Sequence, residues 1–109
     1  MSFTHVVTFA WAPDSDAARD PAVVDGIAAS LREFVDGADL AGLRSWTCGR
    51  DAGLANGNGN GDFAVVAVFD DVDAYAAYRD HPEHPEHRRI IDEQIAHRVG
   101  QRSAVQFAG

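Results

Sequence analysis

A helical stripe set between strand-like runs restricts the fold most. Val23, Val24, Ile27, Ala28, Leu31, Phe34 and Val35 recur at three- and four-residue steps, the repeat of one helix face. Asp20-Pro21 stands just before it. An acidic N-cap followed by proline marks a helix start, because the first-turn N–H groups have no intrahelical partner. Gly37 is the expected C-cap. On one side, Phe3 to Trp11 reads Phe-Thr-His-Val-Val-Thr-Phe-Ala-Trp, rich in β-branched and aromatic residues with no breaker until Pro13. It predicts strand one. On the other side, Leu40 to Arg50 predicts strand two, with Leu43, Trp46 and Cys48, and Asp62 to Phe69 predicts strand three. A helix with a single apolar face needs an apolar surface to cover, and the strands supply a sheet.

The connections follow from the breakers. Asp14 to Asp20 is small and polar and reads as a loop. Gly49-Arg50-Asp51 ends strand two. Asn56-Gly57-Asn58-Gly59-Asn60-Gly61 favours positive φ and reads as a hairpin connection. A phosphate-binding loop is the sharper reading, but no lysine and no strand-to-helix context follow. Asp70 and Asp71 can cap a helix from Val72 to about Arg79, which Pro82 stops. Pro85 can start another, with Ile90, Ile91 and Ile95 as its apolar side and Gly100 at its end. Ser103 to Phe107 predicts a short last strand.

The order β-α-β-β-α-α-β predicts an α+β, ferredoxin-like domain over residues 1–109. Its four-stranded antiparallel sheet carries helices on one face. The other face is then bare and apolar, which implies a homodimer packed sheet on sheet.

Charge narrows the partners. The chain carries a formal net charge of -8, and all nine of its basic residues are arginine. No basic patch with interleaved aromatics stands out, so nucleic acid and anionic membrane are poor partners. No signal-type leader follows Met1 and no run approaches a membrane span, so the expected location is cytoplasmic. Cys48 is the lone cysteine, sits in an apolar run and reads as a core filler.

Titratable chemistry concentrates between Tyr78 and His87, a stretch with three of the five histidines. His81, His84 and His87 are spaced by three, which suggests a metal. Pro82 and Pro85 interrupt the helix that would align them, and no closed ligand set is visible, so no metal is expected. His5 shares the bulkier face of strand one with Phe3, Val7, Phe9 and Trp11. It is either a core histidine with a structural hydrogen bond or a pocket residue.

The pattern His5-Val6-Val7-Thr8-Phe9, Gly49-Arg50-Asp51, and Val68-Phe69-Asp70-Asp71 before a helix ending Tyr78-Arg79-Asp80-His81-Pro82-Glu83-His84 resembles the stress-responsive dimeric A/B barrel (Dabb) family over nearly the whole chain. The resemblance implies a ferredoxin-like fold and two chains forming one barrel. Most members have no assigned activity. One plant member, olivetolic acid cyclase, closes a linear polyketide by aldol condensation. By that similarity its catalytic Tyr and His fall on Tyr78 and His84, the pocket His near the start of its first strand on His5, and the first His of its His-Pro-x-His on His81. Phe63 stands where the cyclase has a further pocket histidine, Cys48 where an aromatic is common, and Ala10-Trp11 where a lysine is usual. These differences imply a different ligand.

The residue types fit such chemistry. Removing a proton beside a carbonyl needs a base, and the developing enolate needs a donor. His84 would be the base and Tyr78 the donor, with His5 or His81 orienting a partner and Phe9, Trp46 and Phe63 lining an apolar cavity. Three readings stand. The first is a barrel that binds a small, mostly apolar molecule without a cofactor, as a cyclase-like enzyme. The second is a non-catalytic stress-response or binding protein in which Tyr78 and the histidines only latch a turn. The third is a monooxygenase-like dimeric barrel, cofactor-free or haem-using.

Overall fold

A computed structural model of the chain describes residues 1–54, 61–80 and 85–109. Strand β1 (Phe3–Trp11) is followed by a 3-10 turn (Asp16–Ala18) and helix α1 (Pro21–Gly37). Strands β2 (Leu43–Arg50) and β3 (Phe63–Phe69) come next, then helices α2 (Val72–Asp80) and α3 (Pro85–Ile90). Helix α3 runs on through a π-helical turn (Ile91–Ile95) and a 3-10 turn (Ala96–Arg98) into β4 (Val99–Ala108). The strands form one antiparallel sheet in the order β2-β3-β1-β4. This is the expected α+β, ferredoxin-like arrangement.

The alternation read in β1 is the alternation of burial. Val7, Phe9 and Trp11 are buried against the helices, while Val6, Thr8 and Ala10 on the other face are half-buried. Register carries each face across the sheet. Val7 pairs with Val65 and Ala104, and Val65 pairs with Cys48, so these share the inner face. Val6 pairs with Val66 and Val105, and Val66 with Thr47, so these share the outer face. Helix α1 lays Val24, Ile27, Ala28 and Leu31 on the inner face. Ile27 and Phe69 are the largest fully buried side chains; each such burial stabilises the fold by roughly 1.5–3 kcal/mol.

The start of α1 follows the sequence reading. The Asp20 carboxylate accepts a hydrogen bond from the Ala22 N–H at 3.0 Å, and Pro21 is the first helical residue. Its end does not. Gly37 is still helical, and the cap is Ala38 in an extended conformation, its N–H bonded to the Phe34 carbonyl. Strand β2 begins at Leu43 rather than Leu40, because residues 40–43 make a turn closed by Leu43 N–H to Leu40 O at 3.1 Å. Gly42 occupies that turn with φ of 81°, and a Cβ there would lie 2.6 Å from the Ala74 Cβ.

The last third differs most. The helical segment ends at Arg98 and Gly100 belongs to β4, which starts four residues before the expected Ser103. Pairing shifts between Ala10 and Trp11 at this point, and a Cβ on Gly100 would meet the Ala12 Cα at 3.1 Å. Glycine lets the irregular strand pass close to β1. Arg98 ties the segment down, its guanidinium donating to the Asp16 carboxylate at 2.7 and 3.2 Å and to the Gln94 carbonyl at 2.6 Å. The polar stretch 14–20 is therefore not all loop, since Asp16–Ala18 is the 3-10 turn that presents this carboxylate. The Asn-Gly stretch falls on residues 56–60, outside the described residues, with Gly61 at its end.

Candidate functional site

Between the inner face of the sheet and helices α2 and α3 lies a cavity of about 490 Å³. His5, Val7, Phe9, Trp46 and Val65 form its sheet side. Tyr75, Tyr78, His87, Ile91 and Ile95 form much of its helical side. A groove of about 580 Å³ runs between α1 and the last helical segment, but its lining is charged (Glu33, Glu86, Arg89, Glu93) and holds no histidine or tyrosine. The chemistry sits in the first.

Tyr78 is on α2, one helical turn after Tyr75, and both face β1 and β3. Its ring packs on Phe69 at 5.2 Å between centroids, and its hydroxyl lies 3.4 Å from Nε2 of His87. His87 comes from the first turn of α3, where its ring stacks on Phe34 of α1 at 5.0 Å and 14°. Tyr78 and His87 are only 7% and 8% exposed. Burial pushes the Tyr78 phenol above its usual range, and the Trp46 indole N–H works against that shift. That indole nitrogen is buried and makes no regular hydrogen bond among the described residues.

His5 completes the group. Its ring is 5.0 Å from that of Tyr75 and 6.4 Å from that of Tyr78. Gln106 on β4, the register partner of His5, donates its side-chain amide to Nδ1 of His5 at 2.8 Å. A ring that accepts at Nδ1 is neutral and carries its proton on Nε2. Burial, then the nearby charge of Arg102, hold the imidazole below its ordinary pKa. His5 thus has a structural hydrogen bond and lines the cavity at once, so the two roles weighed for it coincide.

The other expected site residues divide. Phe9 and Trp46 line the cavity with Tyr78 and His5. Phe63 does not. It is 2% exposed, stacks on Phe9 at 6.3 Å and tilts against Trp11 at 5.8 Å, so it forms the wall behind Phe9. His81 and His84 lie outside the described residues. His87, which carried no role in the sequence reading, is the imidazole facing Tyr78; the only hint was its place three residues past His84. Cys48 is a buried filler whose thiol is pushed up by burial, an effect Arg32 partly offsets. Among the described residues no three of His, Cys, Asp and Glu are grouped to hold a metal ion.

The arrangement gives a cavity with a phenol O–H, two imidazoles and an indole N–H among apolar side chains. Such a set can donate to a carbonyl oxygen and exchange a proton beside it.

The model of the stress responsive A/B barrel domain matches residues 3–104. The chain belongs to the Dabb family. A dimeric ferredoxin-like protein of unknown function from Thermobifida fusca superposes on this Dabb chain with a TM-score of 0.78 at 34% identity, covering 100% of this chain and 92% of the other. A Dabb family protein from Mesorhizobium loti gives 0.70 at 16% identity, covering 99% and 96%. The hydroxynitrile lyase of Passiflora edulis gives 0.71 at 15% identity, covering 97% and 91%. The last two likenesses are of fold alone. No curated protein matches the chain. Among the described residues, no helix of this Dabb domain is long and apolar enough to cross a membrane.

Proposed function

We propose that this Dabb domain binds a small, mostly apolar carbonyl compound in the cavity beneath Tyr78 and moves a proton beside the carbonyl. One observation carries the reading: the Tyr78 hydroxyl and the His5 and His87 imidazoles converge on one cavity with apolar walls. Tyr78 acts as the donor to the carbonyl oxygen. An imidazole takes the proton: His84 by resemblance to the polyketide cyclase, His87 by its distance to Tyr78. Proton abstraction of this kind is the first step of an aldol closure. The same architecture carries a hydroxynitrile lyase in Passiflora edulis, so it is able to host an enzyme.

The domain acts as a homodimer in this reading, through the outer sheet face. Val105 and Phe107 are 56% and 49% exposed there, beside Val6 and Thr4. The similar Thermobifida fusca protein is described as dimeric.

The test is α-proton exchange of 4-butylacetophenone in deuterated water, followed by proton NMR with and without the protein. Accelerated exchange that Tyr78→Phe abolishes supports the reading. Binding without acceleration favours the non-catalytic binding protein, a reading that the engaged Nδ1 of His5 supports. No binding contradicts both.

A further inference from the structure

The cavity's charge runs against that of the chain. Acidic residues outnumber arginines 17 to 9. Yet the described residues lining the cavity include Arg79, Arg88 and Arg102 and no Asp or Glu. Two of these arginines are already matched. Arg79 pairs with Asp80 at 3.1 Å and Arg88 with Asp92 at 3.4 Å. No carboxylate pairs with Arg102 among the described residues.

Arg102 is also the best placed of the three. It is the register partner of Phe9, and it shares the inner face of β4 with Ala104 and Gln106. Every residue of β4 after Val99 is exposed, so the helical layer stops short of this strand and the cavity opens over it. The guanidinium therefore stands exposed at the mouth, where a charge carries little burial penalty. His5 lies close enough to feel its charge, and with Nδ1 accepting from Gln106 the His5 Nε2–H is that ring's one donor. Deeper in, Val7, Ile91 and Ile95 offer only hydrocarbon.

A cavity that is cationic and donor-rich at its mouth, apolar inside and free of carboxylates among its described lining is matched to a molecule of the opposite pattern. We infer that its ligand is an apolar organic acid, with the carboxylate held by Arg102 beside the His5 Nε2–H and the hydrocarbon body in the cavity. The inference rests on the cavity being the ligand site, and it adds the chemical class of the ligand. A guanidinium suits the task because its planar fork meets both carboxylate oxygens. An amine would be repelled by the same guanidinium.

The experiment compares 4-butylbenzoate with 4-butylbenzamide by isothermal titration calorimetry at fixed ionic strength. The two probes have the same size and differ in charge. Benzoate is expected to bind at least about tenfold more tightly, as one charge-assisted bidentate pair allows. Arg102→Gln is expected to remove that preference and leave benzamide binding unchanged. Arg102 is exposed on an edge strand, so the variant keeps the fold. Equal affinity for the two probes, or a preference that survives Arg102→Gln, overturns the inference and leaves the cavity reading standing. No binding of either probe overturns both.

Discussion

The Tyr78 hydroxyl of α2 lies 3.4 Å from Nε2 of His87 in α3, in a site where both side chains are almost fully buried. That distance is long for an O–H···N hydrogen bond, whose strength falls steeply as it lengthens. The contact between this hydroxyl and His87 therefore contributes little to holding the two helices together. The ring does the structural work, through Phe69 and Trp46.

Tyr78→Phe keeps that ring and removes only the oxygen. It is expected to change unfolding free energy by about 1 kcal/mol or less, measured by urea denaturation. The same variant is expected to lose all acceleration of ketone α-proton exchange. A large loss of stability with exchange retained would show a structural hydroxyl instead.

The packing account is tested at Phe69, which is 0% exposed between the sheet and α2. Phe69→Ala is expected to cost about 3–5 kcal/mol through lost burial and the cavity left behind. Leu54→Ala is the control, since Leu54 is 87% exposed; its cost is expected within about 0.5 kcal/mol. Urea midpoints of both variants decide it.

His5 sets a pH dependence. Its folded pKa lies below the ordinary histidine value of about 6.5. Between that value and the lowered one, the unfolded chain binds more protons than the folded chain, so stability rises with pH. The contribution is therefore complete above pH of about 6.5 and lost as pH falls through the lowered value. Arg102, Tyr75 and Tyr78 are the charged and titratable groups facing the ring among the described residues. His5→Gln is expected to flatten this part of the melting-temperature profile between pH 7 and 5, roughly the window of a histidine. A profile with the slope of the unmodified chain would contradict it.

The dimer proposal rests on the outer face. Val105→Glu puts a charge beside Val6 on the exposed edge strand, where a single chain tolerates it. Light scattering is expected to show the unmodified chain at twice its mass and the variant at one, with unchanged circular dichroism. A variant that stays dimeric would place the interface elsewhere.

Strands β1 and β3 were legible because their alternating apolar residues are the buried ones, and α1 because its stripe and the Asp20 cap agree with each other. Strand β4 was legible only in part. Gln101, Arg102 and Ser103 are exposed polar residues in a strand that the helices leave uncovered, so no hydrophobic period marks them. The π-helical turn at Ile91–Ile95 breaks the 3.6-residue repeat, which hid the true end of the last helical segment. Around the cavity, His5 and Phe9 could be set on one face from strand alternation, while Tyr78 was singled out by the resemblance to the Dabb family. Phe63 was misplaced as a lining residue because face alone does not say which neighbour lies in front. His87 and Arg102 depend on contacts between distant segments, Phe34 to His87 and Phe9 to Arg102, which no local pattern announces.

The most direct test of the central claim is a crystal structure grown with 4-butylacetophenone. The account predicts the ketone inside the cavity, with its carbonyl oxygen within hydrogen-bonding reach of the Tyr78 hydroxyl and its alkyl chain against Val7 and Ile91. Ketone bound only on the outer surface, with Trp46 and Ile91 packed together to fill the space under Tyr78, would contradict it.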